Sequence, residues 1–256
     1  MKAIWTGSIS FGLVNIPIKM YSATESRALD LDMLDSSDHE RIRYQRVNEK
    51  PGEVVPWEKI VKGFKTDEGY VILTDDDFEL AGHKKTKTID IEEFVPKDQV
   101  AEMLYKKPYF LEPDKGGDSA YALLRDALNK SEKVGVASFV MREKENLALV
   151  DTYENVIVLH VIRFANEIRG HDELDLPKTK AGKKELNMAM DLIANYSSDF
   201  DLADYEDEYV DKLMSIIEAK QKGKNTKLRK VKAEAATKST DLMKKLQESL
   251  KLKKAS

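Results

Sequence analysis

The sequence predicts a mainly β protein with α content, in which a β core is followed by a helical arm and a basic tail. Short apolar runs separated by Gly, Pro and acidic residues recur through about residue 164, which is typical of an antiparallel barrel or sandwich. From Lys183 onward apolar residues instead recur every three or four positions, which indicates amphipathic helices. We therefore expect a β core over residues 1–182, a helical arm over 183–222, and a basic linker with a C-terminal amphipathic peptide over 223–256.

The predicted strands come first along the chain. Ser8–Tyr21 is apolar but is interrupted by Gly and Pro, so bends or bulges are expected there. Leu29, Leu31 and Met33 alternate with acidic residues, and this alternation predicts a half-buried strand. Arg41–Val47, which alternates cations with apolar side chains, is also predicted as a strand. The remaining predicted strands are Tyr70–Leu73, Thr88–Phe94, Pro108–Leu111, Val134–Arg142, Leu147–Val150 and Val156–Phe164.

Helical periodicity is clearest in Asp118–Lys130, where Tyr121, Leu124 and Leu128 share one face after a Gly-Gly turn. Asp76–Leu80 and Lys97–Leu104 are predicted as shorter helices. The arm is predicted to hold two helices, with the apolar stripes Leu186, Met190, Ile193, Ala194 and Tyr209, Leu213, Ile216, Ile217. A last amphipathic helix is predicted over Thr240–Leu252, with the stripe Leu242, Met243, Leu246 and Leu250.

Charge is distributed unevenly along the chain, whose net charge is -4 at pH 7. Residues 219–256 carry twelve Lys and one Arg against three acids, a net charge of +10, so the first 218 residues have a net charge of -14. An acidic body with a basic tail indicates a polyanion such as nucleic acid as a partner. A tail that only promotes solubility gives the same pattern, so both interpretations stay open.

Composition excludes several kinds of site. The chain has no cysteine, which excludes disulfides, thiolate zinc sites and cysteine nucleophiles. Its four histidines form no metal-binding motif, and no phosphate-loop, dinucleotide-binding or nucleophile-elbow motif is present. No metal, cofactor or catalytic residue is therefore predicted. The lack of a signal sequence and of a run of about 20 apolar residues predicts a cytoplasmic protein without a membrane span.

Two polar segments have both a structural and a functional interpretation. Asp75–Asp77 could form a carboxylate cluster for a metal, but these acids also suit a helix start capped by Thr74. Asp114–Asp118, of sequence DKGGD, could hold a phosphate, but it also fits a turn followed by a helix start. The structural interpretation is favoured for both segments.

Several segments match one known family in collinear order along nearly the whole chain. The most specific is IWTGSISFGLVNIPIKMYSATE at Ile4–Glu25. The others are RIRYQRV at Arg41–Val47, EKIVKGF at Glu58–Phe64, VILTDDDFE at Val71–Glu79, TIDIEEFVP at Thr88–Pro96, PYFLEPDKGGDSAYALLRDAL at Pro108–Leu128, KVGVASFVMR at Lys133–Arg142, ELDLP at Glu173–Pro177, KELNMAMDLI at Lys184–Ile193, YEDEYVDKLMSIIEAKQKGK at Tyr205–Lys224 and DLMKKLQESLK at Asp241–Lys251. Together these segments resemble the bacterial Ku family.

The resemblance implies a β-barrel core with a bridge of protruding hairpins, two copies of which form a ring around duplex DNA. It implies a protein without enzymatic activity that protects and synapses DNA ends. Such a protein recruits the ATP-dependent DNA ligase D for non-homologous end joining and is associated with the nucleoid. The chain departs from many relatives at Val47–Val55, which lacks their pair of cysteines, so a Pro51–Gly52 turn and no zinc is expected there. The tail after Leu250 has only six residues, which puts end bridging by a long extension in doubt.

A protein that accepts any DNA end needs phosphate contacts rather than base contacts, so exposed Lys and Arg are the candidates. The predicted DNA-binding residues are Arg41, Arg43, Arg46, Lys84, Lys85, Lys87, Arg125, Lys130 and Lys133. The predicted partner-docking residues are Leu242, Met243, Leu246 and Leu250, although this stripe could instead fold back on the arm. Two other functions stay open from the sequence: a nucleic-acid lyase that uses a Schiff-base lysine, and an adaptor whose basic tail binds acidic proteins.

Overall fold

The structure is a computed structural model that describes residues 1–81, 87–142, 144–223 and 244–249. The chain divides into two compact units. The first consists of Met1–Ser26 and Asp30–Gly170, and the second of Arg27–Leu29 and His171–Ser256. The strands all belong to the first unit, and the two long C-terminal helices belong to the second.

The first unit contains a closed barrel of seven strands, which confirms the predicted β-barrel core. Its strands are β1 (Trp5–Phe11), β2 (Val14–Ser22), β5 (Thr88–Pro96), β6 (Tyr105–Pro113), β7 (Lys133–Met141), β8 (Lys144–Tyr153) and β9 (Val156–Ile162). They neighbour one another in the order β1, β2, β6, β9, β8, β7, β5. All pairs are antiparallel except β5 and β1, whose parallel pairing closes the barrel. A parallel pair needs a long connection, and here the chain runs from β1 through β2 and then through residues 23–87 before it reaches β5.

Alternating side chains fill the barrel. On β2, Ile16, Ile18 and Met20 are fully buried while the residues between them face outward, as strand geometry requires. The helix α2 (Asp118–Ser131) joins β6 to β7 and packs Tyr121, Leu124 and Leu128 into the same core. These are the three residues that the helical periodicity predicts for the buried face.

The Tyr121 hydroxyl fastens α2 to the barrel. It donates a hydrogen bond to the Leu111 carbonyl at 2.7 Å and accepts one from the Ile157 amide at 2.8 Å. Leu111 and Ile157 are register partners on β6 and β9, so one buried side chain ties the helix to two strands. Because each of these polar groups is buried and paired, removing the hydroxyl is costly.

The structural interpretation of both polar segments is confirmed. Helix α1 (Asp75–Ala81) begins after Thr74, whose amide and hydroxyl both donate to the Asp77 carboxylate at 2.8 and 2.7 Å. The 114–118 segment is a turn in which the Gly117 amide donates to the Asp114 carbonyl at 2.9 Å. Gly116 has a φ of 83°, a conformation that suits glycine, and helix α2 follows directly.

Several predicted elements are corrected. Leu29–Met33 and Arg41–Val47 are not strands, since only the isolated bridges Leu34–Arg41 and Val47–Val54 form there. Alternation produces a strand where a second layer covers the apolar side, and the described chain supplies no such layer at the exposed side chains of Leu31, Met33, Ile42, Tyr44 and Val47. Lys97–Leu104 forms two 3₁₀ turns, Lys97–Gln99 and Glu102–Leu104, instead of one helix.

The connection between β2 and β5 contains a separate hairpin. It consists of β3 (Lys62–Thr66) and β4 (Gly69–Leu73), which form an antiparallel pair outside the barrel. The sequence predicts β4 but not β3, because KGFKT contains a single large apolar residue and gives no alternation.

The second unit contains the two predicted arm helices, α3 (Lys183–Tyr196) and α4 (Glu208–Gln221). Glu185 caps the start of α3 by accepting from the Gly182 amide at 3.1 Å, and Asp207 caps the start of α4. The stripe residues Leu186, Met190 and Ile193 are exposed. Residues 244–249 form a further helical turn.

Candidate nucleic-acid interface

The connection between β2 and β5, residues 23–87, leaves and re-enters the barrel at the same end, and we call it the bridge segment. The end of β2 lies beside the start of β6, because Ser22 pairs with Tyr109. The start of β5 lies beside the end of β7, because Asp90 pairs antiparallel with Ser138. The start of β6, the end of β9 and the β7–β8 turn complete this end of the barrel, which we call the bridge end.

The opposite end of the barrel is covered by α2, and we call it the helix end. It carries the β1–β2 turn, the end of β6, the start of β7 and the β8–β9 turn. Lys133 begins β7 at the helix end, and Arg142 follows the last residue of β7 at the bridge end. Nine residues at ~3.3 Å each separate them by about 30 Å along the strand.

The bridge segment has no core of its own. None of residues 24–80 is buried. Sixteen large hydrophobic side chains between Leu31 and Leu80 are exposed, including Tyr44 at 81%, Phe64 at 67% and Trp57 at 65%. Exposed apolar surface on this scale marks an interaction site, since monomeric proteins rarely present so much of it.

Six of the predicted DNA-binding residues belong to the bridge segment, and three of them, Arg41, Arg43 and Arg46, lie in its first half. The Arg41 guanidinium forms an exposed ion pair with Asp32 at 2.6 Å. The Arg46 guanidinium lies over the Trp57 ring, 4.4 Å from its centroid. Arg43 is exposed and forms no ion pair with a described residue. The structure therefore places three cations in one exposed region. Two of them, Arg41 and Arg46, interact with neighbouring side chains of the bridge segment.

The turn after Arg46 closes as the sequence predicts. The Asn48 amide donates to the Glu53 carbonyl, and the Gly52 amide donates to the Asn48 carbonyl, both at 2.8 Å. Gly52 has a φ of 68°, which its lack of a side chain permits. Turn chemistry alone accounts for this hairpin.

Lys87 is exposed at the bridge end, where its carbonyl accepts a hydrogen bond from the Ser8 amide at 2.9 Å. Lys84 and Lys85 lie outside the described residues. Lys87 is thus positioned at the junction of the bridge segment and the barrel, where β5 begins.

The other three predicted DNA-binding residues are not brought together with the bridge segment. Arg125 and Lys130 are on α2 and Lys133 begins β7, so all three lie at the helix end. Arg125 is bonded locally, with its guanidinium 2.9 Å from the Asp126 carboxylate. Their role in DNA binding stays a prediction.

Of the four predicted partner-docking residues, the structure describes one. Leu246 is half-buried within the helical turn 244–249. Leu242, Met243 and Leu250 lie outside the described residues.

Neither a metal site nor an acid–base site stands out in the described chain. No group of three or more His, Asp or Glu side chains there is arranged to hold a metal ion. Among the described histidines only His160 is half-buried, and its ring packs edge-on against Tyr105 with 5.1 Å between the ring centroids. Burial lowers the pKa of His160 below its ordinary value of 6.5. This environment favours a neutral packing residue.

The comparison with known proteins assigns the family. The family model of the Ku70/Ku80 beta-barrel domain matches residues 10–188, which include the whole bridge segment and nearly all of the barrel. The chain belongs to the Ku family. Its Ku relatives include proteins named non-homologous end joining protein Ku from three organisms. The one from Opitutus terrae is 42% identical, over 98% of this chain and 91% of the relative.

The other two Ku relatives are similar to this chain over comparable lengths. The protein from Coxiella burnetii is 38% identical over 98% of this chain and 95% of its own length. The protein from Archaeoglobus fulgidus is 41% identical over 88% of this chain and 90% of its own length. The family resemblance read from the sequence is therefore confirmed. Within the described residues of this Ku-family chain, no helix has the length and apolar character needed to cross a bilayer.

Proposed function

We propose that this chain binds the ends of double-stranded DNA as a homodimeric ring, without reading sequence and without catalysing a reaction. In this role it protects and synapses broken ends during double-strand break repair by non-homologous end joining. The proposal is supported by the family, by the names of its relatives, and by a bridge segment that presents cations and apolar side chains together.

The single observation that carries the ring is the absence of any buried residue over 24–80. A segment of this length gains little stability alone, because fixing each residue's backbone costs roughly 1–2 kcal/mol at 25 °C. Covering its sixteen exposed hydrophobic side chains with those of a second copy offsets that cost. Two bridge segments that cover each other, each attached to a barrel at both ends, enclose an opening. We expect the interface to bury more than about 2,000 Å², as obligate interfaces do.

Phosphate contacts suit this function because a broken end can have any sequence. Arg41, Arg43, Arg46 and Lys87 are the cations on or beside the bridge segment that we propose to contact DNA, together with Lys84 and Lys85. Cations neutralise phosphates and release counterions without distinguishing bases. A closed ring also explains dependence on ends, since a threaded protein leaves the duplex only by sliding off.

We also propose that the C-terminal segment recruits the ATP-dependent DNA ligase D. The support is its apolar stripe at helical spacing within a basic peptide, which suits a groove on a partner protein.

The test compares three forms of one duplex sequence as competitors for a labelled linear fragment: linear, hairpin-blocked at both ends, and covalently closed circular. We expect the linear form to compete well and the other two forms poorly, whatever the base sequence of the duplex. We also expect the affinity for the linear form to fall steeply as salt is raised. Equal competition by closed circles of the same mass contradicts threading.

A further inference from the structure

We propose that a groove along the last turns of α2 is the docking site for the C-terminal amphipathic segment, residues 240–254, of another copy of this chain. The groove lies at the helix end of the barrel, away from the bridge segment. This inference rests on the proposed synapsis of DNA ends, and it names the contact between copies that holds two end-bound rings together.

The first half of the groove is apolar. It is a cavity of about 510 Å³ between α2 and the strands β1 and β5, and Phe11, Phe94, Leu123 and Ala127 contribute to its lining. The Phe11 and Phe94 rings pack edge to face with their centroids 6.2 Å apart, and they form one wall. On the opposite wall the Leu123 side chain is 68% exposed. A partner that covers this cavity with apolar side chains removes Leu123 from water, which is favourable.

The second half of the groove is polar and lies at the end of α2. It is a cavity of about 690 Å³. The two cavities share three lining residues, Leu128, Ser131 and Lys133, so they adjoin and form one groove. The other charged side chains of the polar half are Lys97, Asp98, Glu132 and Asp151.

The charges of the polar half favour a cation. Lys97 forms a 2.6 Å ion pair with the buried Asp151 carboxylate, so these two charges offset each other. Asp98 and Glu132 are exposed and form no ion pair with a described residue, and together they outweigh Lys133. The carboxyl-terminal end of α2 borders the same cavity, because Glu132 caps that helix, and this end of a helix attracts positive charge.

The C-terminal segment carries the complementary side chains in the matching order. Large apolar residues recur at every fourth position over about 12 Å of helix, and they are Leu242, Leu246 and Leu250. Residues 251–254 then add three lysines, and residues 240–254 as a whole have five lysines against two acids. The part of this segment that the structure describes, residues 244–249, is a helical turn. Binding of an amphipathic helix by its apolar side is a common mode of recognition.

Docking places the leucines in the apolar half of the groove and the lysines of residues 251–254 beside Asp98 and Glu132. The wider surface favours the same occupant, since residues 112–133 and 151–154 at the helix end carry four basic and seven acidic side chains. Each copy has one groove and one segment, so two copies can exchange segments, and two linked contacts bind more tightly than one. The ligase is proposed to bind the same apolar stripe, so it competes with the groove for the segment.

The test is a disulfide between two different full-length chains, since the chain contains no cysteine of its own. One chain carries Leu123→Cys in the groove. The other carries Leu246→Cys in the segment and an affinity tag that makes its mass distinct. The two are purified separately, mixed without DNA and oxidised. We expect a linked product that contains both chains, because docking brings the two Cα atoms to the roughly 4.4–6.8 Å that a disulfide spans.

Two comparisons make the test specific. Lys144→Cys replaces Leu123→Cys as the matched control, because it is exposed at the opposite end of the barrel, and it should give only the product of random collision. Adding Asp98→Lys with Glu132→Lys to the groove chain should slow linkage by about tenfold, since it reverses two exposed charges. Adding Lys251→Glu with Lys253→Glu to the other chain should then restore the rate.

Folding of each variant is checked by thermal unfolding. Ala127→Cys, one turn after Leu123 and also exposed, repeats the test if Leu123→Cys does not fold. Light scattering of the linked product under native conditions should show four chains. A mass of two chains means that segments are exchanged within one ring, and it overturns the assignment to another ring.

Three other results overturn the inference. They are equal linkage with Lys144→Cys, no recovery in the charge-reversed pair, and a disulfide that forms only within a chain carrying both Leu123→Cys and Leu246→Cys. None of these measurements uses DNA, so their failure leaves end binding intact. A chain that does not prefer linear duplex contradicts the proposed function and leaves the contact between copies standing.

Discussion

Reversing the charges of Arg41 and Arg43 tests whether the bridge segment contacts DNA phosphates. The structure indicates that the double variant Arg41→Glu with Arg43→Glu keeps its fold. Arg41 and its partner Asp32 have side chains that are 70% and 54% exposed, and exposed ion pairs contribute at most about 1 kcal/mol. Arg43 has no ion-pair partner among the described residues, so its replacement breaks no such pair there.

The effect on DNA is larger because the proposed homodimer loses four cations. If all four contact phosphates, the slope of log affinity against log salt becomes shallower by about 3.6, at about 0.9 per phosphate. Four added carboxylates also repel the duplex. We expect an affinity loss of about a hundredfold or more at low salt, by comparison with the roughly 10³–10⁵-fold range that 6–10 phosphate contacts span between 50 and 200 mM.

The assay is anisotropy of a labelled linear duplex over a salt series, with dimer mass measured by light scattering. Asp32→Asn is the control for the broken ion pair, since it frees Arg41 without removing a cation. It should bind as tightly as wild type or more tightly. A folded, dimeric Arg41→Glu, Arg43→Glu variant with the wild-type affinity and slope would refute the assignment of these residues.

Three further predictions concern stability and the C-terminal segment. Tyr121→Phe removes the hydroxyl that bonds two backbone groups in the core, so we expect the free energy of unfolding to fall by about 2 kcal/mol, measured by urea denaturation at fixed protein concentration. His160 has a lowered pKa when folded, so the stability it contributes is present above its ordinary value of 6.5 and is lost as the pH falls below it. His160→Gln should therefore narrow the difference between urea midpoints at neutral and mildly acidic pH, and an unchanged difference contradicts this. Truncation after Lys238, or Leu246→Asp, should leave dimerisation and end binding intact but abolish stimulation of the partner ligase, and unchanged ligation in both variants removes the docking role.

The barrel is predictable from the sequence because the apolar residues that recur at strand or helix spacing are also the residues that the structure buries. Tyr121, Leu124 and Leu128 recur at helical spacing in the sequence and are buried together in the structure. The six strands predicted after residue 69 form as expected, with most ends shifted by a few residues. Local pattern and tertiary environment agree in these elements.

In the bridge segment the same approach predicts the wrong elements, for a physical reason. Alternation of Leu29, Leu31 and Met33 predicts a strand on the assumption that one face is covered, and no described part of the chain covers Leu31 or Met33. In the proposed dimer, the second copy supplies the cover that the alternation assumes and that one chain alone does not supply.

The sequence also does not show which cations share one end of the barrel. Lys107 and Arg142 are 35 positions apart, and neither belongs to a long basic run. Only closure of the barrel places the start of β6 and the β7–β8 turn at one end. Conversely, Lys87 and Lys133 look alike as surface cations in the sequence, and only the strand register shows that they lie at opposite ends of the barrel.

If a second copy covers the exposed bridge segment, as we propose, folding and assembly are coupled, and this has a measurable consequence. In that dimer, burial of the apolar side chains over residues 24–80 adds to the stability of each chain. The thermal midpoint should therefore rise with protein concentration, as mass action requires for a linked dimer. Phe64 is 67% exposed on the β3–β4 hairpin, outside the barrel, so Phe64→Asp should weaken the dimer while the barrel core stays intact. Light scattering at micromolar concentration should show monomer in this variant, and its midpoint should no longer depend on concentration. A wild-type midpoint that is constant over a hundredfold range of concentration, or a Phe64→Asp variant that remains a dimer, contradicts the coupling.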